Sequence, residues 1–263
     1  MKQKICWITL CYNEMEILPF CQQYWSRIAD KVVVYDNGSV DGSIEYLKTL
    51  PYVELRHFDS DGQHEGIQKE IKEKAYLEFK DQFDIIILSD CDELFFMSDM
   101  ESTISDFCSG AYDILAFPLF ALCEDHKPNF EADLLLHQQC HKFYKQRLNH
   151  MDGFSELSKL SIFNCHTVDS VNMSVGQHYV QTNPSMRIML SYDGFCLHVD
   201  KGFGVVWKYK VRRKMNENLS EFNKSHKMCI EYAYDYDTLR NEYLNNQRKS
   251  FDINKKTGEK FLF

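Results

Sequence analysis

Two carboxylates stand two positions apart at the end of an apolar run: Asp90 and Asp92, in the stretch DIIILSDCDE over residues 84–93. In an extended chain, residues i and i+2 share a face, so both side chains point the same way. Hard divalent cations take oxygen ligands, commonly one or two carboxylates together with substrate phosphates. A metal ion held here would bridge a nucleoside diphosphate and stabilise the charge that develops as it leaves. A solvated acidic turn is the other reading, and D-x-D alone does not choose between them. A second polar cluster, Asp36, Asn37, Gly38, Ser39, Val40, Asp41 and Gly42, follows the run KVVVY at residues 31–35. Its glycines permit a tight turn, and an acid at a strand end suits a ribose hydroxyl or a base edge. D-N-G is equally ordinary strand-to-helix turn chemistry.

Such groups act only if a frame brings them together, and the surrounding pattern supplies one. Apolar runs at residues 5–10, 31–35, 53–58 and 84–88 read as strands. Between them, Ile17, Phe20, Cys21, Tyr24, Trp25 and Ile28 recur at helical spacing, and residues 44–47 and 67–79 read as further helices. This alternation implies a mostly parallel, doubly wound sheet, whose ligands bind beyond the carboxyl ends of the strands. Every polar cluster falls at such an end: Asn13 and Glu14, Asp36 to Asp41, the loop at residues 59–66 with Gly62, and Asp90 to Glu93. Further on, residues 111–122 read as strand, as do 159–163 and parts of 168–180, while 205–243 read as largely helical. The expected organisation is one α/β domain over residues 1–204, with a nucleotide-binding half at 1–96 and an acceptor half at 97–204. A helical C-terminal extension of the same domain occupies 205–263.

Composition agrees with a packed globular chain: of 263 residues, 44% are hydrophobic and 26% charged, which argues against wholesale disorder. The ten cysteines include no C-x-x-C pair, so they are expected to be reduced, mostly buried packing residues rather than disulfides or zinc ligands. The nearest approach to a zinc pattern, His137-Gln-Gln-Cys140-His141, has no second pair. No run approaches the roughly 18 apolar residues of a membrane span, and no signal-peptide pattern opens the chain, so the expected location is cytoplasmic. Net charge is −9, yet from Val199 onward 14 Lys and Arg face only 9 Asp and Glu. An acidic body with a basic tail suits cation-binding carboxylates and an anionic partner, not nucleic acid. Residues 201–214, from Lys201 to Lys214, hold Lys208, Lys210, Arg212, Arg213 and Lys214. They are expected either to contact the inner face of a membrane peripherally or to meet a diphosphate-linked lipid acceptor, unless they form a solvated helix face.

Taken in order, Tyr12-Asn13-Glu14, the segment from Ala29 to Ser43 and DIIILSDCDELFF at residues 84–96 resemble the successive signatures of family 2 glycosyltransferases. The match is closest to the soluble bacterial subgroup that reads N-E, then D-N-x-S-x-D, then D-x-D-E followed by Phe or Leu. The resemblance covers residues 5–96 and thins afterwards, although residues 154–163, Gly176-Gln177-His178 and Leu197-His198 resemble the subgroup's later lysine and histidine positions. It implies a GT-A fold and transfer of a sugar from a nucleotide-sugar donor, a UDP-sugar, to a glycan or lipid-linked saccharide, as in bacterial surface polysaccharide synthesis. Asp36 would then hold the uracil or ribose, with Asn13, Glu14, Asn37, Asp41 and Gly62 lining the same pocket. Asp90 and Asp92 would hold Mn²⁺ or Mg²⁺ with the diphosphate, His198 would be the third metal ligand, and Lys72 and Lys159 would contact phosphate or acceptor. The resemblance also implies a single inverting displacement, which needs one general base. Glu124 and Asp125, at the end of an apolar run, are the first candidates, and His178 is the next. Two rivals stand beside this expectation. A sugar-phosphate nucleotidyltransferase would want glycine and arginine in its first loop, where Cys11-Tyr12-Asn13-Glu14 has neither. A catalytically degenerate scaffold would show no metal-dependent nucleotide binding.

Overall fold

The computed structural model describes residues 2–146, 158–177, 179–184 and 186–255. The first half alternates as the periodicity predicts: β1 (Ile5–Cys11), α1 (Leu18–Ile28), β2 (Lys31–Asp36), α2 (Ser43–Leu47), β3 (Val53–His57), α3 (Glu65–Phe79) and β4 (Ile85–Asp90). Then come β5 (Glu93–Met97), α4 (Met100–Ser109), β6 (Ile114–Ala116), β7 (Leu119–Leu122), α5 (Leu136–Gln139) and β8 (Phe143–Lys145). They are followed by β9 (Ile162–Asn164), β10 (Ser170–Met173), β11 (Val180–Asn183), β12 (Ile188–Leu190) and β13 (Gly194–His198). Helices α6 (Val205–Glu217), α7 (Glu221–Ser225) and α8 (Tyr236–Arg248) close the described chain.

A seven-stranded sheet in the order β12-β6-β9-β4-β1-β2-β3 forms the centre. Strands β1 to β4 are mutually parallel, and β9 alone runs antiparallel to its neighbours β4 and β6. The protein is thus mixed α/β with a mostly parallel, Rossmann-like central sheet flanked by helices. Its two faces are packed by alternate residues of each strand. Trp7, Val32, Val34, Ile85 and Ile87 meet Leu18, Trp25, Leu47 and Phe107 on one side. Cys6, Ile8, Val33, Ile86 and Leu88 meet Ala75, Tyr76, Phe79 and the β10–β11 hairpin on the other. Burial on both faces is why these strands read as unbroken apolar runs rather than as alternating patterns. A second sheet, β5-β13-β7-β8, leaves the end of β4 and carries its own aromatic packing, with Phe95, Phe120 and Phe195 buried.

The run at residues 111–122 is not one strand. It divides at Phe117-Pro118 into β6 in the large sheet and β7 in the small one. Proline lacks the amide that would continue a ladder. The ten cysteines are all free, and Cys6, Cys11, Cys21, Cys91, Cys123, Cys140 and Cys196 are buried. His137 is a packing residue as well, buried against Phe96 and Phe195 with Nδ1 2.9 Å from the Tyr24 hydroxyl. Among the described residues, no helix is long and apolar enough to cross a membrane.

Candidate active site

The loops that leave the carboxyl ends of β1, β2 and β3 are tied together before any ligand arrives. Asn13 takes a left-handed φ of 54°, and its amide Oδ1 accepts from the Val40 N–H at 2.8 Å. Its own N–H donates to Ser39 Oγ at 2.8 Å, and that hydroxyl donates to Asp36 Oδ2 at 2.5 Å. Asp41 accepts from Met15 N–H and from the N–H and hydroxyl of Ser43, so it ties the first loop to the start of α2. Asn37 exchanges hydrogen bonds with Ser60 and donates to the Gly62 carbonyl. Gly62 has φ +65°, and a Cβ there would sit 2.0 Å from the Asn218 carbonyl oxygen. This glycine is therefore required by the close approach of the loop to the end of α6.

These loops form one side of a cleft of about 1890 Å³. Asn13, Glu14, Asn37 and Asp41 line it, with Tyr12 and the exposed Val40 at the same end. Asp36 does not. It is 1% exposed beneath the floor, and both of its carboxylate oxygens are taken by Ser39. Gly62 is likewise not among the lining residues, although its neighbour Gln63 is.

The two acids of the D-x-D part company. Asp90 receives Lys72 Nζ at 2.7 Å on one oxygen and Lys159 Nζ on the other. Burial opposes its ionisation, but Lys159 and Lys72 outweigh burial and hold its pKa well below the ordinary carboxylate range. Lys72 is set in place by Gln177, whose Oε1 accepts from Nζ at 2.9 Å while its Nε2 donates to the Leu88 carbonyl. Lys159 also reaches the buried Glu93 at 3.2 Å. Asp92 turns instead toward His198, whose Nε2 lies 3.5 Å away, and toward Lys201, whose Nζ lies 3.4 Å away and bonds Glu14 at 2.9 Å. Burial disfavours charge on the imidazole and on the lysine, and the facing acids overcome it, so both pKa values are raised. Gln146 Oε1 lies 2.7 Å from His198 Nδ1 and can only accept, so Nδ1 carries hydrogen and Nε2 faces Asp92.

Among the described residues, no group of three or more His, Cys, Asp or Glu converges to hold a metal ion. Asp90, Asp92 and His198 all line the cleft; two lysines occupy the Asp90 carboxylate, and Asp92 and His198 face each other as a pair. The pair itself fits a divalent cation: a carboxylate oxygen and an oriented imidazole nitrogen face the cleft, and phosphate oxygens and water can complete the shell.

The base candidates fare differently. One Glu124 oxygen accepts from the backbone N–H groups of His141 and Lys142. Asp125 pairs with Lys142 Nζ at 2.5 Å and with Gln247. Neither is among the residues lining the cleft. Through them the turn after β7 is fastened to the start of β8 and to α8. His178 and residues 154–157 lie outside the described residues. In residues 201–214, Lys201, Lys208 and Arg212 are buried, and α6 turns Lys210, Arg212, Arg213 and Lys214 to the cleft wall. Lys210, Arg213 and Lys214 are exposed on that wall.

Sequence reading missed Lys201 as a partner of Glu14 and Asp92, Gln177 as the support of Lys72, and Gln146 as the support of His198. Only Gln177 carried a signal, since it sits inside the Gly-Gln-His motif that stood out for its histidine.

No protein-family model and no curated protein matches the sequence. Among solved structures, TarS 1–349 of S. aureus is 14% identical with a TM-score of 0.44, over 92% of this chain and 71% of that one. The same fragment in complex with UDP is 13% identical with a TM-score of 0.44, over the same shares. A 4-diphosphocytidyl-2C-methyl-D-erythritol synthase from Anaerococcus prevotii is 10% identical with a TM-score of 0.41, over 80% of this chain and 97% of that one. Likeness this slight is silent on activity, and the fold class rests on the sheet topology itself.

Proposed function

We propose that the chain is an inverting, cation-assisted glycosyltransferase of GT-A type, which moves a sugar from a UDP-sugar to a glycan or lipid-linked saccharide. The observation that carries this reading is the opening of Asp92 and His198 into a cleft beside the laced strand-end loops, with Lys159 and Lys201 lining it next to them. Asn13, Asn37, Tyr12 and Val40 form the end that receives the nucleoside. Asp92 and His198 would hold Mn²⁺ or Mg²⁺, which when bound supplies charge stabilisation to the departing diphosphate. Gln146 keeps His198 Nε2 available by taking up the Nδ1 hydrogen. Lys159 and Lys72 hold Asp90 ionised and keep positive charge at the end of β4, where an anionic leaving group benefits from a site that is already organised. Lys201 joins Glu14 of the first loop to Asp92 and so fixes the nucleoside end against the cation end. His178 lies outside the described residues and stays a candidate general base on the sequence resemblance alone. The protein is read as acting in the cytoplasm.

Hydrolysis of a panel of nucleotide-sugars without acceptor tests the reading. A UDP-sugar should release UDP in a cation-dependent reaction that Asp92→Asn abolishes. Release of pyrophosphate from a nucleoside triphosphate and a sugar phosphate, with no nucleotide-sugar hydrolysis, would overturn it in favour of nucleotidyl transfer.

A further inference from the structure

Helix α6 forms the wall of the cleft opposite the strand ends. Its thirteen residues span about 20 Å at 1.5 Å per residue, from Gly204, which donates to the Tyr243 hydroxyl, to Asn218, which accepts from Gln63 N–H. The charges on it are unbalanced. Lys208 Nζ lies 2.7 Å from Asp200 Oδ2, and Arg212 Nη2 lies 3.5 Å from Asp200 Oδ1. One carboxylate thus serves two buried cations, and Arg212 Nη1 is left buried with no hydrogen-bond partner among the described residues. A buried donor without a partner is costly, and a surplus buried charge more so, unless a counter-ion is recruited. Lys210 and Lys214 are exposed, line the same wall, and have no acid within ion-pair reach among the described residues. Among the described residues Arg213 pairs only with Glu217, at 3.9 Å. Other acids on the C-terminal side of the cleft, Glu231 and Glu242, form no ion pair with these cations among the described residues.

The α6 charges stand apart from the strand-end lysines, which are matched by acids: Lys72 and Lys159 by Asp90 and Glu93, and Lys201 by Glu14 and Asp92. Asp200 and Arg212 lie instead toward Tyr144, whose hydroxyl is 3.4 Å from Asp200 Oδ2 and which sits on β8, the edge strand of the small sheet. We propose that the α6 wall around Arg212, Lys210 and Lys214 is a second anion subsite, which binds a phosphoryl group carried by the acceptor. The proposal deepens the transferase reading and rests on it for the word acceptor: it specifies a phosphorylated or diphosphate-linked saccharide. The guanidinium supplies paired N–H donors in the plane a phosphoryl group requires, and the two ammonium groups supply point charges beside it.

Calorimetric titration of glycerol 3-phosphate into the full chain, already saturated with UDP and Mg²⁺, tests this directly. One phosphate ester should bind per chain. The double variant Lys210→Gln, Lys214→Gln should weaken that binding at least tenfold and leave UDP affinity within twofold. Arg212→Lys, which keeps the charge near Asp200 but loses the planar fork, should weaken it as well with little change in melting temperature. Competition between the ester and UDP would overturn the proposal and give the α6 charges to the donor. Absence of ester binding, or an unchanged affinity in the double variant, would overturn it too. Ester binding by a protein that binds no UDP in any form would leave the subsite standing and sink the transferase reading instead. A parallel arm with phosphatidylglycerol vesicles identifies the source. Co-sedimentation abolished by glycerol 3-phosphate and by the double variant assigns the phosphoryl group to a lipid-linked acceptor, and ester binding without co-sedimentation assigns it to a soluble one.

Discussion

At the scale of single residues, position relative to the cleft separates roles that residue type alone leaves merged. Asp36 and Asp92 are both strand-end acids, yet Asp36 spends its oxygens on the Ser39 turn while Asp92 faces His198 and the cleft. Asp36→Ala should therefore cost about 1–3 kcal/mol of stability through the unsatisfied Ser39 donors, and change UDP affinity less than threefold. Thermal melting and UDP titration of the same sample check both halves. Asp90→Asn removes the carboxylate shared by Lys72 and Lys159, so its melting temperature should fall further than that of Asp92→Asn. Equal melting temperatures would mean that the two lysines find other partners. The D-x-D and its neighbouring loops were legible because acids and glycines recur at successive strand ends, which is where a doubly wound sheet binds its ligands. Lys201 was not, because a lysine at the head of a basic string reads as solvated, and only the fold turns it inward to Glu14 and Asp92. Glu124 and Asp125 stand off the cleft lining for a related reason: a strand end predicts a loop but not which way the loop opens.

At the scale of elements, β1 to β4 and the helices between them were legible from periodicity, since burial on both faces writes unbroken apolar runs into the sequence. The reversal of β9 and the division of residues 111–122 were not. The orientation of a three-residue strand depends on distant pairing, and Pro118 marks a break without saying which sheet receives each side. The contact between the β3–α3 loop and α6 belongs to this scale as well, and its weight can be measured. Gly62→Ala forces a Cβ onto the Asn218 carbonyl and a strained positive φ, whereas Gly38→Ala, at φ +72°, meets the strain and only an ordinary contact of 4.0 Å with the His57 ring. Chemical denaturation should show Gly38→Ala losing about 1–2 kcal/mol and Gly62→Ala clearly more. Equal losses would mean that the loop and helix separate without cost.

At the scale of the whole molecule, two sheets meet at the end of β4, and the cleft exists because β5 and β13 carry Asp92 and His198 away from the large sheet toward the C-terminal helices. His137 reports on how firmly the small sheet is packed. Burial among Phe96 and Phe195 lowers its pKa from 6.5 to about 4, with Arg27 adding a smaller push. The unfolded chain then takes up the proton first, so the stabilisation is complete above about pH 6.5 and is lost as pH falls toward 4, by about 3 kcal/mol in all. His137→Phe should flatten the stability profile across that window, and an unchanged slope would place the acid sensitivity elsewhere. The central claim, a nucleotide site completed by a cation at Asp92 and His198, meets its most direct test in one measurement: calorimetric titration of UDP with and without Mn²⁺, on the wild type and on Asp92→Asn. The expected result is binding of one UDP per chain that Mn²⁺ tightens at least tenfold, with that gain absent in the variant. UDP affinity indifferent to Mn²⁺ in the wild type, or no UDP binding at all, would contradict it.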